Sequence, residues 1–193
     1  MATQFEKDFQ KAYNFYQQHK AEINEIFKKN KLFNIEFDSA ELSRLFDLYA
    51  GIDYVVCQSS QRKLFGIASR INFNPNHHKH VTIRYKRKSG APTEYQKRVS
   101  SILNKSGEIY ATITMQIDAI QDKENPNKQK ILRAIVFESD KLYMAIHKNL
   151  EFFEKTFMIE NHQDGNLFFK IPSSAIEEMG KREGFSVKIV KFE

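Results

Sequence analysis

A change in the spacing of apolar residues near residue 52 constrains the fold of this chain more than any other sequence feature. Before that point, apolar and aromatic residues recur every three or four positions, which predicts amphipathic helices within residues 3–49. After it, short runs rich in β-branched and aromatic residues alternate with polar turns, as is typical of strands. This order predicts a single α/β or α+β domain over residues 1–193, with a central mixed sheet flanked by helices.

The local signals divide the chain further. Residues 3–29 predict one long helix, and residues 38–49 predict a shorter helix that ends at Gly51, which has the position of a C-cap. IDYVVC and FGIASRINF predict a hairpin, VTIRYKRK follows as a third strand, and Thr93 begins a helix. We therefore expect a core over about residues 38–120, followed by C-terminal strands and helices over residues 130–193.

Composition excludes several classes of protein. The chain has 193 residues, of which 41% are hydrophobic and 13% aromatic, so it can bury a substantial core. It has no apolar run of 18 residues and no secretory signal pattern, so we expect no membrane span. Cys57 is the only cysteine, which excludes an intramolecular disulfide and a cysteine-based zinc site and favours a reducing, cytoplasmic location.

Positive charge is concentrated in one segment. The formal net charge is +6, but residues 62–105 hold 11 basic residues and one acid, a net of +10. The segments before and after it each carry a net of −2. A local excess of this kind attracts a polyanion better than dispersed charge does. A solvated basic face that keeps the protein soluble is the alternative interpretation.

Within VTIRYKRK, the apolar side chains alternate with the basic ones. Val81, Ile83 and Tyr85 are expected to pack inward, which places Arg84 and Lys86 on the opposite face. We therefore expect a nucleic acid, DNA in particular, as the partner. The residues predicted to contact it are Arg62, Lys63, Arg84, Lys86, Arg87, Lys88, Lys97 and Arg98.

Residues 48–72, LYAGIDYVVCQSSQRKLFGIASRIN, resemble the core of the PD-(D/E)XK nuclease superfamily. In that superfamily, a strand carrying an Asp leads through a hairpin to a strand carrying an acid-x-Lys pair. Gly51-Ile52-Asp53 matches the first element. The second element departs from the pattern, because the chain reads Ala68-Ser69-Arg70, with no acid and with Arg70 where the family has Lys. The resemblance covers about residues 38–88.

The resemblance implies a restriction-endonuclease-like core and Mg²⁺-dependent hydrolysis of DNA phosphodiester bonds. Mg²⁺ takes oxygen ligands, so Asp53 is one candidate metal ligand. A second can come from Glu36, Asp38 or Glu41, and Glu41 is preferred because it lies inside the helix that precedes the strand. Arg70 is the candidate catalytic cation, because a guanidinium binds phosphate in a bidentate manner, although it cannot act as a base. A homodimer is compatible with the sequence.

The same residues allow other interpretations. Asp53 and Glu41 can be ordinary solvated acids, or Asp53 can pair with Arg70 across the hairpin. The chain can also be a non-catalytic nuclease-fold DNA binder, or a protein-interaction or inhibitor module whose basic face docks an acidic partner. His77, His78 and His80 form the only histidine cluster, and a polar turn or a phosphate contact is favoured there over a metal site. Neither a phosphate-binding Gly-rich loop nor a nucleophile elbow occurs.

Overall fold

A computed structural model describes residues 4–36, 41, 44–47, 51–58, 63–74, 78–107, 109–122, 124–125, 128–161 and 163–192. The helices are α1 Gln4–Gln18, α2 Lys20–Lys29, α3 Glu94–Asn104, α4 Ser139–Lys148, α5 Leu150–Phe157 and α6 Ser173–Glu183. The strands are β1 Phe33–Ile35, β2 Tyr54–Gln58, β3 Lys63–Asn72, β4 His80–Lys86, β5 Ile113–Gln121, β6 Gln129–Glu138, β7 Met158–Glu160, β8 Leu167–Pro172 and β9 Val187–Lys191. Residues 44–47 are also helical.

The larger sheet is mixed and has six strands in the order β1-β2-β3-β5-β6-β9. The β2–β3 pair is the predicted hairpin, and its register joins Val56 to Phe65. The β3 and β5 strands are parallel, while the other neighbours are antiparallel. The predicted α/β fold class with a mixed sheet flanked by helices is therefore confirmed.

The smaller sheet consists of β4, β8 and β7 in that order, all antiparallel. The strand VTIRYKRK therefore leaves the central sheet that carries the two strands before it and pairs with a C-terminal strand almost 90 residues away in sequence. Alternation in a sequence shows which face of a strand is buried but not which strand it joins, because a partner distant in the chain leaves no local signal.

Two apolar clusters occupy the two faces of the larger sheet. One packs α1 and α2 on the sheet through Phe15, Ile23 and Phe27, which meet Ile67 and Met115. The other fills the space among the second face, the smaller sheet and α3 to α6. Its fully buried members include Tyr143, Phe153, Phe169, Ile135 and Ile176. Each buried side chain of this size stabilises the fold by about 1.5–3 kcal/mol.

A buried polar contact joins the two sheets. The carboxylate of Asp118 on β5 is 2% exposed and lies 2.9 Å from Arg133 Nε on the neighbouring strand. It also accepts hydrogen bonds from Asn72 Nδ2 at 3.2 Å and from the backbone N–H of Lys79 at 2.8 Å. Lys79 precedes β4, so this carboxylate fixes the beginning of β4 against the middle of the larger sheet.

The helix boundaries agree with the sequence signals at α3 but not at the N-terminus. Thr93 and Gln96 form a reciprocal capping box at the start of α3. The single helix predicted over residues 3–29 is wrong: His19 leaves helical geometry at φ −114° and ψ 22°, so the segment forms two helices. Within the described residues, none of the helices has both the length and the apolar character needed to cross a membrane.

Candidate functional site

Asp53 is positioned by the turn that leads from the helical residues 44–47 into β2. The backbone N–H of Gly51 donates to the Asp47 carbonyl at 2.9 Å, and that of Ile52 donates to the Phe46 carbonyl at 3.2 Å. Gly51 has φ +59°, and its bond to the Asp47 carbonyl is the 5→1 bond of a left-handed (αL) C-cap motif, with Ile52 packed on Phe46. Gly51 is thus confirmed as a C-cap, and its turn brings Asp47 and Asp53 to one side.

Asp53 is held at the beginning of the hairpin by two backbone contacts. Its N–H donates to the Ile67 carbonyl at 2.8 Å, and its Oδ2 accepts from the N–H of Ser69 at 2.5 Å. Ser69 is the middle residue of the Ala68-Ser69-Arg70 element, so the two elements of the resemblance do meet. They meet through the backbone of the second strand rather than through a second carboxylate.

A cavity of about 390 Å³ lies beside Asp53, among α1, β1 and the beginning of β2. Its acidic lining residues are Asp53, Asp47 and Glu36. Its aromatic lining residues are Phe9, Tyr13, Tyr16 and Tyr54. The cavity therefore combines carboxylates with aromatic rings, and Lys20 is the only cation among its described lining residues.

The surroundings of Asp53 disfavour its charged form. Although solvent reaches the residue through the open cavity, the protein atoms around the carboxyl group displace much of its hydration and raise its pKa to about 7. Repulsion from Asp47 and Glu94 acts in the same direction, while the Ser69 N–H and Arg70 oppose it. Desolvation also raises the pKa of Asp47. Both acids thus occupy a site that holds negative charge poorly without a cation.

Arg70 forms its ion pair with Glu94 and not with Asp53. Its Nη2 lies 2.6 Å from Glu94 Oε2 on α3, and its Nη1 donates to the Thr82 carbonyl at 2.9 Å. The alternative in which Asp53 and Arg70 pair across the hairpin is therefore wrong, because Glu94 takes the guanidinium. The two residues remain close enough for Arg70 to lower the pKa of Asp53.

The second predicted metal ligand, Glu41, lies elsewhere. It is helical and exposed, and it is not among the described residues that line the cavity. Glu36, an alternative acid in the sequence, lines the cavity together with Asp47, which the sequence analysis did not single out, while Asp38 lies outside the described residues. The described residues contain no group of three His, Cys, Asp or Glu side chains placed to hold one metal ion. The sequence signal that could have identified Asp47 is its position four residues before Gly51, because the C-cap turn at Gly51 brings the chain, and with it Asp53, back beside Asp47.

Ala68 stands where the resemblance leads one to expect an acid. Its side chain is buried in a small apolar cluster with Ile52 and Ala111. Gly66, two residues earlier, lies so close to Ile52 that an added Cβ would approach its side chain to 2.7 Å. This part of β3 therefore serves packing between the hairpin and the residues before β5.

The basic face predicted for β4 is present. Val81, Ile83 and Tyr85 are buried, whereas Arg84 and Lys86 are exposed on the opposite face, and Arg87 and Lys88 extend the row beyond the strand. We call Arg84, Lys86, Arg87 and Lys88 the basic row. The Arg84 guanidinium lies 5.4 Å from the centre of the Phe168 ring on β8.

The remaining predicted contact residues do not join this row on β4. Lys63 is exposed on β3 and Lys97 on α3, while Arg62 and His77 lie outside the described residues. The backbone carbonyl of His78 lies 2.9 Å from His80 Nδ1, in agreement with a polar turn. Lys63 and Lys97 stay candidate contacts on other elements.

The prediction that Arg98 contacts a nucleic acid is wrong, because this side chain is 1% exposed. Its Nη2 lies 3.0 Å from Glu94 Oε1, one turn earlier on α3, and its Nη1 lies 3.7 Å from Asp140 Oδ1. The guanidinium also lies 5.4 Å from the Tyr143 ring centre. Glu94 therefore bridges Arg98 and Arg70 in one ionic network.

No known protein family, curated protein or solved structure matches this chain.

Proposed function

We propose that this protein binds nucleic acid, with DNA as the first candidate, along the basic row of β4 and the turn after it. The observation that supports this most directly is the exposure of all four cations within five consecutive residues. Phosphate groups neutralised by such side chains release counterions, which drives association without any requirement for base sequence.

The charge of the row is largely uncompensated by neighbouring acids. Arg84, Arg87 and Lys88 form no ion pair with the described residues, and Lys86 lies 3.7 Å from a Glu154 carboxylate oxygen. Arg70 and Arg98, by contrast, are occupied by Glu94. The basic row is thus the largest group of consecutive exposed cations in the described part of the +10 segment, and it is available to an external anion.

The test is the salt dependence of DNA binding, measured by fluorescence anisotropy with a labelled duplex between 50 and 200 mM NaCl. The triple variant Arg84→Gln, Arg87→Gln and Lys88→Gln should bind roughly tenfold or more weakly at the lower salt concentrations. The slope of log K against log salt concentration should fall by about 2 to 3, since each phosphate contact contributes about 0.9.

A matched control separates the row from net charge. The triple variant Lys11→Gln, Lys28→Gln and Lys181→Gln removes the same charge from three exposed lysines on α1, α2 and α6. It should keep most of the affinity and the wild-type slope. Equal losses in both variants, or binding that does not depend on salt, would overturn the proposal.

Mg²⁺-dependent cleavage of the bound DNA is a separate prediction that rests on the resemblance and on Asp53. Mg²⁺ commonly takes one or two protein carboxylates and completes its shell with water, and Asp53 with Asp47 are the residues that fit that role. Incubation of labelled duplex and single-stranded DNA with Mg²⁺ or Mn²⁺ tests it, with Asp53→Asn as the inactive variant. If neither DNA is cut, hydrolysis fails as a hypothesis while the binding proposal stands.

A further inference from the structure

The cavity beside Asp53 shares no lining residue with the basic row of β4. It has a volume of about 390 Å³, which is within the range of small-molecule sites of about 300–1,000 Å³. Its described lining comes from α1, β1, the helical residues 44–47 and the beginning of β2. Secondary structure thus surrounds it on several sides, so its shape is built into the fold.

The charge of the cavity is incompletely balanced. Glu36 is neutralised by Lys20, whose Nζ lies 2.8 Å from the carboxylate. Asp47 and Asp53 form no ion pair with the described residues, and Arg70, the nearest candidate cation of β3, is held by Glu94. Two carboxylates for which the described residues supply no ion-pair partner therefore line the same cavity.

The other lining groups are aromatic. Tyr54 packs against Tyr16 with ring centres 5.3 Å apart, and the Tyr16 hydroxyl accepts a hydrogen bond from Asn34 at 3.1 Å. Tyr13 on α1 is 47% exposed. Aromatic faces attract cations through their quadrupole, and the attraction strengthens where water is partly excluded.

We propose that this cavity binds a small organic ammonium ion, with Asp53 and Asp47 supplying the opposite charge and the tyrosines of α1 supplying the wall. The lining favours this occupant over the Mg²⁺ ion of the cleavage hypothesis, because aromatic rings provide no oxygen ligands and most of the ion's shell would have to be water. A phosphate-bearing ligand would be repelled by the two carboxylates.

Isothermal titration calorimetry with butylammonium tests the proposal, with n-butanol as the neutral control of similar size. Butylammonium should bind at pH 8 with at least tenfold higher affinity than n-butanol. Asp53→Asn and Tyr13→Leu should each weaken its binding by at least fivefold, while Asp164→Asn, at an exposed turn of the smaller sheet, should leave it unchanged. Circular dichroism establishes that each variant remains folded.

The outcomes that overturn the proposal are specific. Equal affinity for butylammonium and n-butanol would show that charge plays no part. Competition by Mg²⁺ together with unchanged butylammonium binding in Tyr13→Leu would identify a metal site rather than an ammonium site. Detectable binding of a neutral nucleoside in place of butylammonium would assign the cavity to a base. A full loss of DNA binding in the basic-row variant would leave this result unaffected.

Discussion

The basic row of β4 and the two arginines bound by Glu94, Arg70 and Arg98, belong to the same +10 segment, yet the fold uses them in opposite ways. Arg84 lies on the outer face of the smaller sheet and forms no ion pair with the described residues. Arg98 lies inside the protein, beside Glu94 and Asp140. The net charge of a segment therefore describes its surface only after the cations bound to internal acids are subtracted.

The two groups should differ sharply in their contribution to stability. A buried ion pair that loses one partner leaves an uncompensated charge in a medium of low dielectric constant, which costs much more than the loss of an exposed charge. Exposed ion pairs contribute about 0–1 kcal/mol because water and salt screen them. Substitutions at internal and external charges therefore test the distinction directly.

The largest loss of stability is expected when Asp118, the carboxylate that joins the two sheets, is substituted. Asp118→Asn removes the charge opposite Arg133, whose side chain is 12% exposed, and should lower the free energy of unfolding by about 3 kcal/mol or more. Urea denaturation measures the change. Glu151→Gln, at an exposed acid on α5, is the control and should shift stability by less than about 0.5 kcal/mol. Similar midpoints for the two variants would break the distinction between internal and external charge.

A smaller loss of stability is expected when Arg98 is substituted. Arg98→Met keeps much of the side-chain volume but removes the guanidinium from Glu94, which retains Arg70 and some contact with solvent. We therefore expect a loss of about 1–3 kcal/mol in the free energy of unfolding. The neighbouring Lys97→Met is the control, because Lys97 is exposed on the same helix. A stabilised Arg98→Met protein would show that packing outweighs the ionic network at this position.

Local sequence patterns predicted most of the elements but fewer of their partners. The alternation in β4, the capping box at Thr93 and the C-cap at Gly51 depend on neighbouring residues and were therefore visible in the sequence. The pairing of β4 with β8 joins segments almost 90 residues apart and has no local signature. The separation of β4 from the larger sheet was missed for that reason.

The candidate site shows the same division between local and distant information. Asp53 was identified from Gly-Ile-Asp, and the i,i+4 spacing of Glu94 and Arg98 was a readable sign of an ion pair on α3. That Glu94 also takes Arg70, and that Tyr13 and Tyr16 face the acids of the cavity, depends on packing between elements. Such contacts could not be assigned before the arrangement of the helices on the sheet was known.

Asp53 provides a third test, because its carboxyl group is neither paired with a cation, as Asp118 is, nor as well solvated as the basic row. Its pKa is raised from 3.8 to about 7, so between about pH 4 and pH 7 the folded protein retains a proton that the unfolded chain has released. Its contribution to stability therefore decreases as the pH rises through this window. Asp53→Asn has no proton to release, so its stability relative to wild type should increase from pH 4.5 to pH 8. Urea denaturation at both pH values measures this difference, and a difference that is independent of pH would contradict the desolvated state of the carboxyl group.

The smallest effects should come from the basic row itself. Arg84→Gln loses the contact with the Phe168 ring, a cation–π interaction of about 0.5–1 kcal/mol at an exposed site. The Arg87 side chain forms no hydrogen bond, ion pair or ring contact with the described residues, so Arg87→Gln should change the free energy of unfolding by less than about 0.5 kcal/mol. Both variants should nevertheless weaken DNA binding to a similar extent, because affinity depends on the number of phosphates neutralised and not on the internal contacts of each cation. Urea denaturation and fluorescence anisotropy on the same preparations separate the two properties. A loss of stability in Arg87→Gln as large as that in Arg98→Met would contradict this distinction. It would mean that the basic row stabilises the fold rather than serving only as an external surface.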